Sequence, residues 1–368
     1  MGSLFTGAPA PIFKVRSKHF AQFAFSSLGG RWVVLGFLPG PGPERDAAIA
    51  MLEGLPGLFR DDRCLAFGVL PDEASFKAAK DALPMRWFYD AEGSVRRLYD
   101  AEGPDGEVAP RWVAIDPSQR VLAWAPLENG RQLFASLAAM GAPQDHAGVP
   151  MHAPVLIVPR ILEGDLCHRL IAYYEADGGV PSGVMRERNG RTVAELDDFK
   201  RRRDATITDP ELTRALRDRI GRRLVPEIEK VFQFKATRIE RYIVARYDSA
   251  DGGYFRPHRD NTTGGTVHRK FAVSINLNAE DFEGGDLRFP EFGPQTYRPP
   301  TGGAVVFSCS LLHEATPVTR GIRYATLPFL FDEAGEELRA KNLHLLDTSP
   351  GKPSTETPAP NEGAQAAG

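Results

Sequence analysis

Cysteine is scarce in this chain. Only Cys64, Cys167 and Cys309 occur in 368 residues, far apart and never as C-x-x-C, which argues against a disulfide framework or a cysteine-bound zinc site and fits a reducing compartment. An excess of charge of either sign is missing too. With 45 Lys and Arg against 48 Asp and Glu and a net charge of -3, there is no electrostatic footprint for nucleic acid or an anionic membrane, so small or neutral partners are favoured. No apolar run approaches membrane-spanning length, and the opening MGSLFTGAPAP lacks the basic-then-apolar order of a secretory signal. The expectation is a cytoplasmic protein that contacts neither nucleic acid nor membrane.

What is present is a globular composition, 42% hydrophobic and 25% charged, in a chain long enough for two domains. From Arg31, RWVVLGFLPG is a short apolar run closed by Gly and Pro, a buried central strand. Pro43 and then Glu44 to Leu55 have helical spacing with Pro and acids at the front. CLAFGVL (64–70) is another buried strand, Asp72 to Leu83 returns to helix, and RWVAIDPSQRVLAW (111–124) predicts two strands joined by a turn at Asp116-Pro117. This alternation implies an α/β layer structure over the first 140 residues, assigned to a domain at 1–142.

The aperiodic MGAPQDHAGVPMHAP (140–154) supplies a linker, placed at 143–152. A second domain at 153–335 opens with amphipathic helices, Leu162 to Glu175 and Pro210 to Phe232, the latter capped by Asp209. Between them, FKRRRD (199–204) has Arg201 to Arg203 as a basic run expected to be a solvated face. After Ile239 the pattern changes to short period-two runs such as RYIVARY, KFAVSINLN and GAVVFSCS, the rhythm of a β-sandwich or barrel. The last residues, 346–368, have nothing to bury and are expected to be disordered.

Along a strand, residues two apart share a side, so His258 and Asp260 in RPHRDN can reach one metal ion while Arg259 points away. Two imidazoles and a carboxylate suit iron(II) and leave three positions for a chelating co-substrate and dioxygen. A third ligand belongs on a distant strand, and His313 follows an apolar run in VVFSCSLLHEATPV. Ten residues beyond it, Arg323 lies in an otherwise apolar strand, where a buried guanidinium needs an anionic partner. A carboxylate matches its fork with two hydrogen bonds. His268, in TGGTVHRK, is expected in a loop facing solvent.

These residues resemble the prolyl-hydroxylase-like branch of the 2-oxoglutarate oxygenases, whose pattern is H-x-D, a distal His, and Lys or Arg ten residues on. The resemblance covers roughly residues 153 to 333 and includes Tyr247 in ARYDSADGGYFRPHRDN, EGGDLRFPEF at 283–292 and the Pro-Pro-Thr-Gly-Gly turn. It implies a double-stranded β-helix (jelly-roll) domain with supporting helices. It also implies Fe(2+), 2-oxoglutarate and O2, with L-ascorbate as a candidate reductant, and hydroxylation of an unactivated carbon of a protein residue or amino-acid-like substrate with release of succinate and carbon dioxide. His258, Asp260 and His313 would hold the metal and Arg323 the distal carboxylate. Tyr247, rather than Tyr254, matches the family's co-substrate tyrosine, against a packed aromatic. Asn276 falls where relatives carry a further polar contact, against a satisfied strand amide. The presence of Asp260 favours hydroxylation over halogenation. A zinc-dependent hydrolase using the same ligands and a non-catalytic iron or 2-oxoglutarate sensor stay open as alternatives.

Over residues 5 to 140 the chain resembles the peroxiredoxin and thioredoxin-like superfamily. GRWVVLGFLPG, the helix after it, GVLPDEASFKAAK and VAPRWVAID, with Pro110 placed like a cis-proline, carry the likeness. Active peroxiredoxins read P-x-x-x-[ST]-x-x-C; here Pro39 starts the turn, Pro43 takes the hydroxyl position and Asp46 replaces the peroxidatic cysteine. The thiolate that a helix start would activate is therefore missing, and Cys64 at a buried strand start is no substitute. The domain is expected to dock substrate or the catalytic domain.

Overall fold

Strands Trp32–Phe37 and Cys64–Leu70 are buried at every residue, as expected of neighbours paired in parallel and covered on both faces. They sit in a computed structural model that describes residues 4–55, 57–347 and 352–353. Among the described residues the chain divides into two units, one of residues up to 152 together with 290–294 and one of residues 153–289 together with those from 295 onward.

The first unit runs β1 (Lys14–Ser17), β2 (Phe23–Ala24), β3 (Trp32–Phe37), α1 (Pro43–Glu53), β4 (Cys64–Leu70), α2 (Glu73–Ala78), β5 (Met85–Tyr89), α3 (Ser94–Leu98), β6 (Arg111–Ile115), β7 (Val121–Pro126) and α4 (Gly130–Ala139). Its mixed sheet is ordered β2-β1-β5-β4-β3-β6-β7. Period-two alternation sends Trp32, Val34 and Ala66 to one face, against Leu52 of α1 and Phe134 of α4. Val33, Leu35, Phe67 and Val69 go to the other. Gly36 is required within β3, since a Cβ there would lie 2.4 Å from the Trp112 indole.

Helix α2 ends at Ala78, short of Leu83. Beyond it the chain ties down β5 instead: Trp87 donates its backbone N–H to Asp81 Oδ1 and its indole N–H to the Lys80 carbonyl. The cis X-Pro bond of the described residues is Leu83-Pro84, so Pro110 does not take the expected cis form.

The second unit opens on a strand rather than a helix: β8 (Leu156–Val158) precedes α5 (Gly164–Asp177). Then come β9 (Val180–Pro181), β10 (Val184–Arg188), β11 (Arg191–Leu196), β12 (Lys200–Arg201), β13 (Arg203–Thr206) and α6 (Pro210–Arg219). The expected single helix to Phe232 is interrupted by a π-helical turn at Ile220–Leu224 before α7 (Val225–Phe232). Pro226 accounts for this, because it lacks an N–H and its ring crowds the carbonyl one turn back. The β region follows as β14 (Arg238–Glu240), β15 (Ile243–Asp248), β16 (Tyr254–His258), β17 (Phe271–Asn276), β18 (Glu283–Gly284), β19 (Leu287–Arg288), β20 (Thr296–Tyr297), β21 (Ala304–Ser308), β22 (His313–Ala315), β23 (Val318–Arg320), β24 (Ile322–Thr326) and β25 (Phe329–Phe331), closed by α8 (Glu333–Asn342).

Among the described residues a larger sheet is ordered β14-β25-β17-β24-β15-β13-β9, with β21 and β8 extending from β17, and a smaller one β12-β16-β22-β19-β20. Leu166 and Leu170 of α5, Leu212 and Leu216 of α6 and Ile228 of α7 bury the outer face of the larger sheet through Val244, Val273 and Ile275. Its inner face meets the smaller sheet through Ala245, Tyr247, Phe255 and Ala315. This is a jelly-roll with supporting helices, following a thioredoxin-like unit.

Of the tail expected at 346–368, residues 348–351 and 354–368 lie outside the described residues. Leu346 and Asp347 are ordered against Thr192, and Lys352–Pro353 pairs with β11, which corrects the expectation at those four positions.

Candidate metal centre

His258 ends β16 and His313 begins β22, and the antiparallel register sets the two directly opposite. Their ring centroids are 4.3 Å apart. Asp260 is not on the strand as expected but in the turn that follows it. Its N–H donates to the Cys309 carbonyl at 2.9 Å, which turns the carboxylate back toward both rings. Oδ1 lies 3.6 Å from His258 Nε2 and Oδ2 lies 3.4 Å from His313 Nε2. One ligand atom from each of the three lies within 4.8 Å of the others. Arg259 points away, its guanidinium bonded to the Ser310 carbonyl.

Both imidazoles are anchored alike. His258 Nδ1 lies 2.7 Å from the Arg256 carbonyl and His313 Nδ1 lies 3.0 Å from the Leu311 carbonyl. A carbonyl only accepts, so each Nδ1 carries the proton and each Nε2 lone pair is free for a metal. Burial, and then the neighbouring His258, push His313 down to about 4, so it is neutral and ready to ligate at pH 7. Burial alone would raise Asp260, but in the acid range where the carboxyl titrates the fields of the protonated histidines, His313 first, outweigh it and hold the carboxyl well below its ordinary range. Two neutral nitrogens and one carboxylate fit a divalent ion of the iron type.

Arg323, 3% exposed, lies on β24 directly opposite Tyr247 of β15, with its guanidinium carbon 5.2 Å from that ring centroid. Period two on β17 turns Val273 and Ile275 to the helix side and leaves Ser274 and Asn276 on the side of Arg323. Nε donates to Asn276 Oδ1 at 3.2 Å, Nη1 to the Gly285 carbonyl at 2.8 Å and Nη2 to Ser274 Oγ at 2.8 Å. These acceptors are all neutral. Three of five N–H groups are thus used, leaving one on each terminal nitrogen to donate to a carboxylate. Burial without a counter-ion lowers this guanidinium.

Comparison with known proteins supplies the class. Residues 242–330, which contain Tyr247, His258, Asp260, Asn276, His313 and Arg323, match the 2OG-Fe(II) oxygenase superfamily. The chain carries a 2OG-Fe(II) oxygenase domain. Ahead of this oxygenase domain, residues 6–123 match the AhpC/TSA family. A PKHD-type hydroxylase of Paracoccus denitrificans is 32% identical over 112 residues, which are 28% of this chain and 48% of that protein. The chain therefore spans about half the length of that curated relative. Among solved structures, a viral collagen prolyl hydroxylase of Paramecium Bursaria Chlorella virus-1 is similar at 18% identity and a TM-score of 0.37, over 48% of this chain and 94% of the other. AhpC of Mycobacterium tuberculosis is similar at 16% identity and 0.32, over 38% and 95%.

The oxygenase domain also holds charges that the sequence reading placed wrongly. His268 is not in solvent; it is 1% exposed and 2.8 Å from Glu240, which also pairs with Arg269 at 2.6 Å. Arg269 in turn donates to the Asp260 carbonyl at 3.5 Å. The basic run is not uniformly solvated either. Arg201 is exposed, but Lys200 and Arg202 are buried, and Arg202 pairs with Asp204 at 2.6 Å and donates to the Tyr247 hydroxyl at 3.3 Å. Alternation was the signal available: residues 200, 202 and 204 are two apart in a segment that becomes strand. For Arg241, bonded to the Leu327 carbonyl at 2.9 Å, no signal existed. Asn276 uses its amide N–H on the Pro299 carbonyl at 3.0 Å, so within the oxygenase domain it holds Arg323 and the Pro-Pro-Thr-Gly-Gly turn together.

The AhpC/TSA-type unit places Asp46 in the first turn of α1, where the thiolate would stand. Cys64 is 0% exposed and burial pushes its thiol up to about 12.

Proposed function

We propose that the second unit is an Fe(II)- and 2-oxoglutarate-dependent hydroxylase of an unactivated carbon in a protein residue or amino-acid-like substrate. Arg323 carries the reading: a buried cation held only by neutral acceptors, with one unused N–H on each terminal nitrogen, beside three convergent metal-type ligands. His258, Asp260 and His313 would hold the iron, which when bound supplies dioxygen activation at the expense of 2-oxoglutarate. The overall change balances as substrate C–H, O2 and 2-oxoglutarate giving C–OH, succinate and CO2.

The chain's own groups bind and orient. The Arg256 and Leu311 carbonyls fix both imidazoles with Nε2 inward. Arg323 grips the distal carboxylate, oriented by Ser274, Asn276 and Gly285 and flanked by the Tyr247 ring. Burial of these groups keeps water away and strengthens each electrostatic contact.

The reading includes a cytoplasmic location, which three free, buried thiols suit; among the described residues no helix is long and apolar enough to cross a membrane. It also includes a non-peroxidatic role for the first unit in docking substrate or the catalytic domain, supported by Asp46 at the helix start. The experiment is oxygen-free calorimetry of Fe(II) and 2-oxoglutarate binding, followed by aeration with cell extract and mass spectrometry. A product heavier by one oxygen atom, formed with equimolar succinate, is expected. Turnover with Zn(II) in the absence of oxygen and 2-oxoglutarate would instead identify a hydrolase.

A further inference from the structure

The interior around the centre is rich in cations. Five basic side chains, Lys200, Arg202, Arg241, Arg269 and Arg323, share it with three acids, Asp204, Glu240 and Asp260. Two pairs are internally neutral: Arg202 with Asp204 and Arg269 with Glu240, each at 2.6 Å. Under the function proposed above, Fe(II) and Arg323 bring three positive charges against three negative ones from Asp260 and a doubly ionised diacid. The loaded centre is then neutral, and Lys200 and Arg241 stand outside the balance.

Neither of these two forms an ion pair among the described residues. Lys200 Nζ donates to the Gly183 carbonyl at 2.8 Å and lies 4.8 Å from the centre of the Phe255 ring, and that ring stacks on His258 at 3.4 Å. Arg241 donates only to the Leu327 carbonyl and rests 4.6 Å over Phe329. Arg269 lies 4.0 Å over the same ring, so two guanidinium groups are held together near Asp260. Arg241 holds this position from a backbone φ of +71°, a region costly for a long side chain. Burial, and then the field of Arg202, push Lys200 well down and Arg241 down to about 10, against the opposing fields of Asp204 and, more weakly, Asp260. Lys200 is buried and Arg241 half-buried, and cations withdrawn from water without an anionic partner are costly. In addition, Arg202 Nε and Asp204 Oδ1 are buried without hydrogen-bond partners.

We infer that the primary substrate presents an oxyanion to Lys200 and Arg241, so that the enzyme selects acidic molecules or acidic residues. The inference rests on the reading of the centre as a 2-oxoglutarate oxygenase. Lys200 keeps two ammonium N–H groups and Arg241 its whole Nη1 amino group for that contact.

The test is oxygen-free calorimetry on the full chain with Fe(II) and saturating 2-oxoglutarate, using N-acetylglutamate, N-acetyl-O-phosphoserine and neutral N-acetylglutamine as probes. At least one charged probe is expected to bind tenfold or more tightly than the neutral one, and the better of the two identifies carboxylate or phosphate as the source. Lys200→Met and Arg241→Asn, the latter chosen because Asn tolerates positive φ, should each weaken that probe tenfold while 2-oxoglutarate affinity stays within threefold; Lys200→Arg should retain the probe. Equal binding of charged and neutral probes, or undiminished binding by the charge-removing variants with unchanged melting midpoints, overturns the inference. If wild-type protein fails to bind 2-oxoglutarate at all, the reading of the centre fails and the inference falls with it.

Discussion

Replacing Arg323 with Met tests the proposed co-substrate site at its most specific point. The variant removes the two N–H groups left on the terminal nitrogens, each worth about 1.5–3 kcal/mol as a hydrogen bond to a charged group. Breaking one side of a buried charge pair costs about 3–5 kcal/mol, which corresponds to a Kd weaker by roughly 10²-fold to about 4 × 10³-fold at about 1.4 kcal/mol per decade. The folded protein should suffer much less. Among the described residues Arg323 has no ion-pair partner, so loss of its bonds to Ser274, Asn276 and Gly285 is offset by relief of a buried charge. Oxygen-free calorimetry with Fe(II) is the assay, comparing 2-oxoglutarate with 2-oxobutyrate, which lacks the distal carboxylate. Wild type should prefer the diacid strongly and the Met variant should not discriminate. Arg323→Lys restores charge without the fork and should fall between them. A Met variant that still binds 2-oxoglutarate within threefold of wild type, or still rejects the monoacid, refutes the assignment.

Asp260→Ala should abolish tight Fe(II) binding in metal titrations while leaving the far-UV spectrum unchanged. His313 predicts a pH effect on iron-free protein. Its folded value of about 4 lies below the ordinary 6.5, so between those values the unfolded chain binds a proton that the native state refuses. Stability should therefore fall as pH drops from 6.5 to 4, by roughly 3 kcal/mol in denaturant melts, and His313→Ala should flatten the slope. All three thiols are buried and free, so native protein should react with a thiol reagent only on unfolding and should not turn over peroxide; rapid turnover would contradict the reading of Asp46.

The clustering of His258, Asp260 and His313 and the burial of Arg323 were legible because such chemistry is rare in apolar, period-two surroundings. His313 beside VVFS and Arg323 inside IRYAT need a reason to be there, and spacing supplied it. What could not be read was three-dimensional neutralisation. His268 does lie in a turn, as expected, but it is not solvent-facing because it pairs with Glu240, 28 positions away, and no local pattern announces that pair. Arg202 was hidden in a run that charge counting assigns to solvent, although alternation separated it from Arg201. The interruption at Ile220–Leu224 followed from Pro226, whose missing N–H was outweighed in the reading by a strong amphipathic pattern on either side. Asp260 was placed on a strand by extrapolating period two past His258, where β16 ends, two residues earlier. The turn delivers the carboxylate to the same point through its backbone bond to Cys309.

That last detail bears on how the centre is built. Each imidazole is fixed by a carbonyl two residues upstream, and Asp260 is fixed by a backbone bond to the segment just before β22, so the ligand geometry is a property of the β16 and β22 backbone rather than of neighbouring side chains. Side-chain charges do a different task. Glu240 and Asp204 neutralise Arg269 and Arg202, while Arg323, Lys200 and Arg241 are left with neutral acceptors, an arrangement that costs stability unless anions arrive. Preorganised backbone for the metal and unpaired cations for its ligands together mean that an anion adds stability when it binds, by mass action. The largest rise in melting midpoint should therefore come from Fe(II) with a diacid rather than from either alone, because only together do they engage both parts of the site.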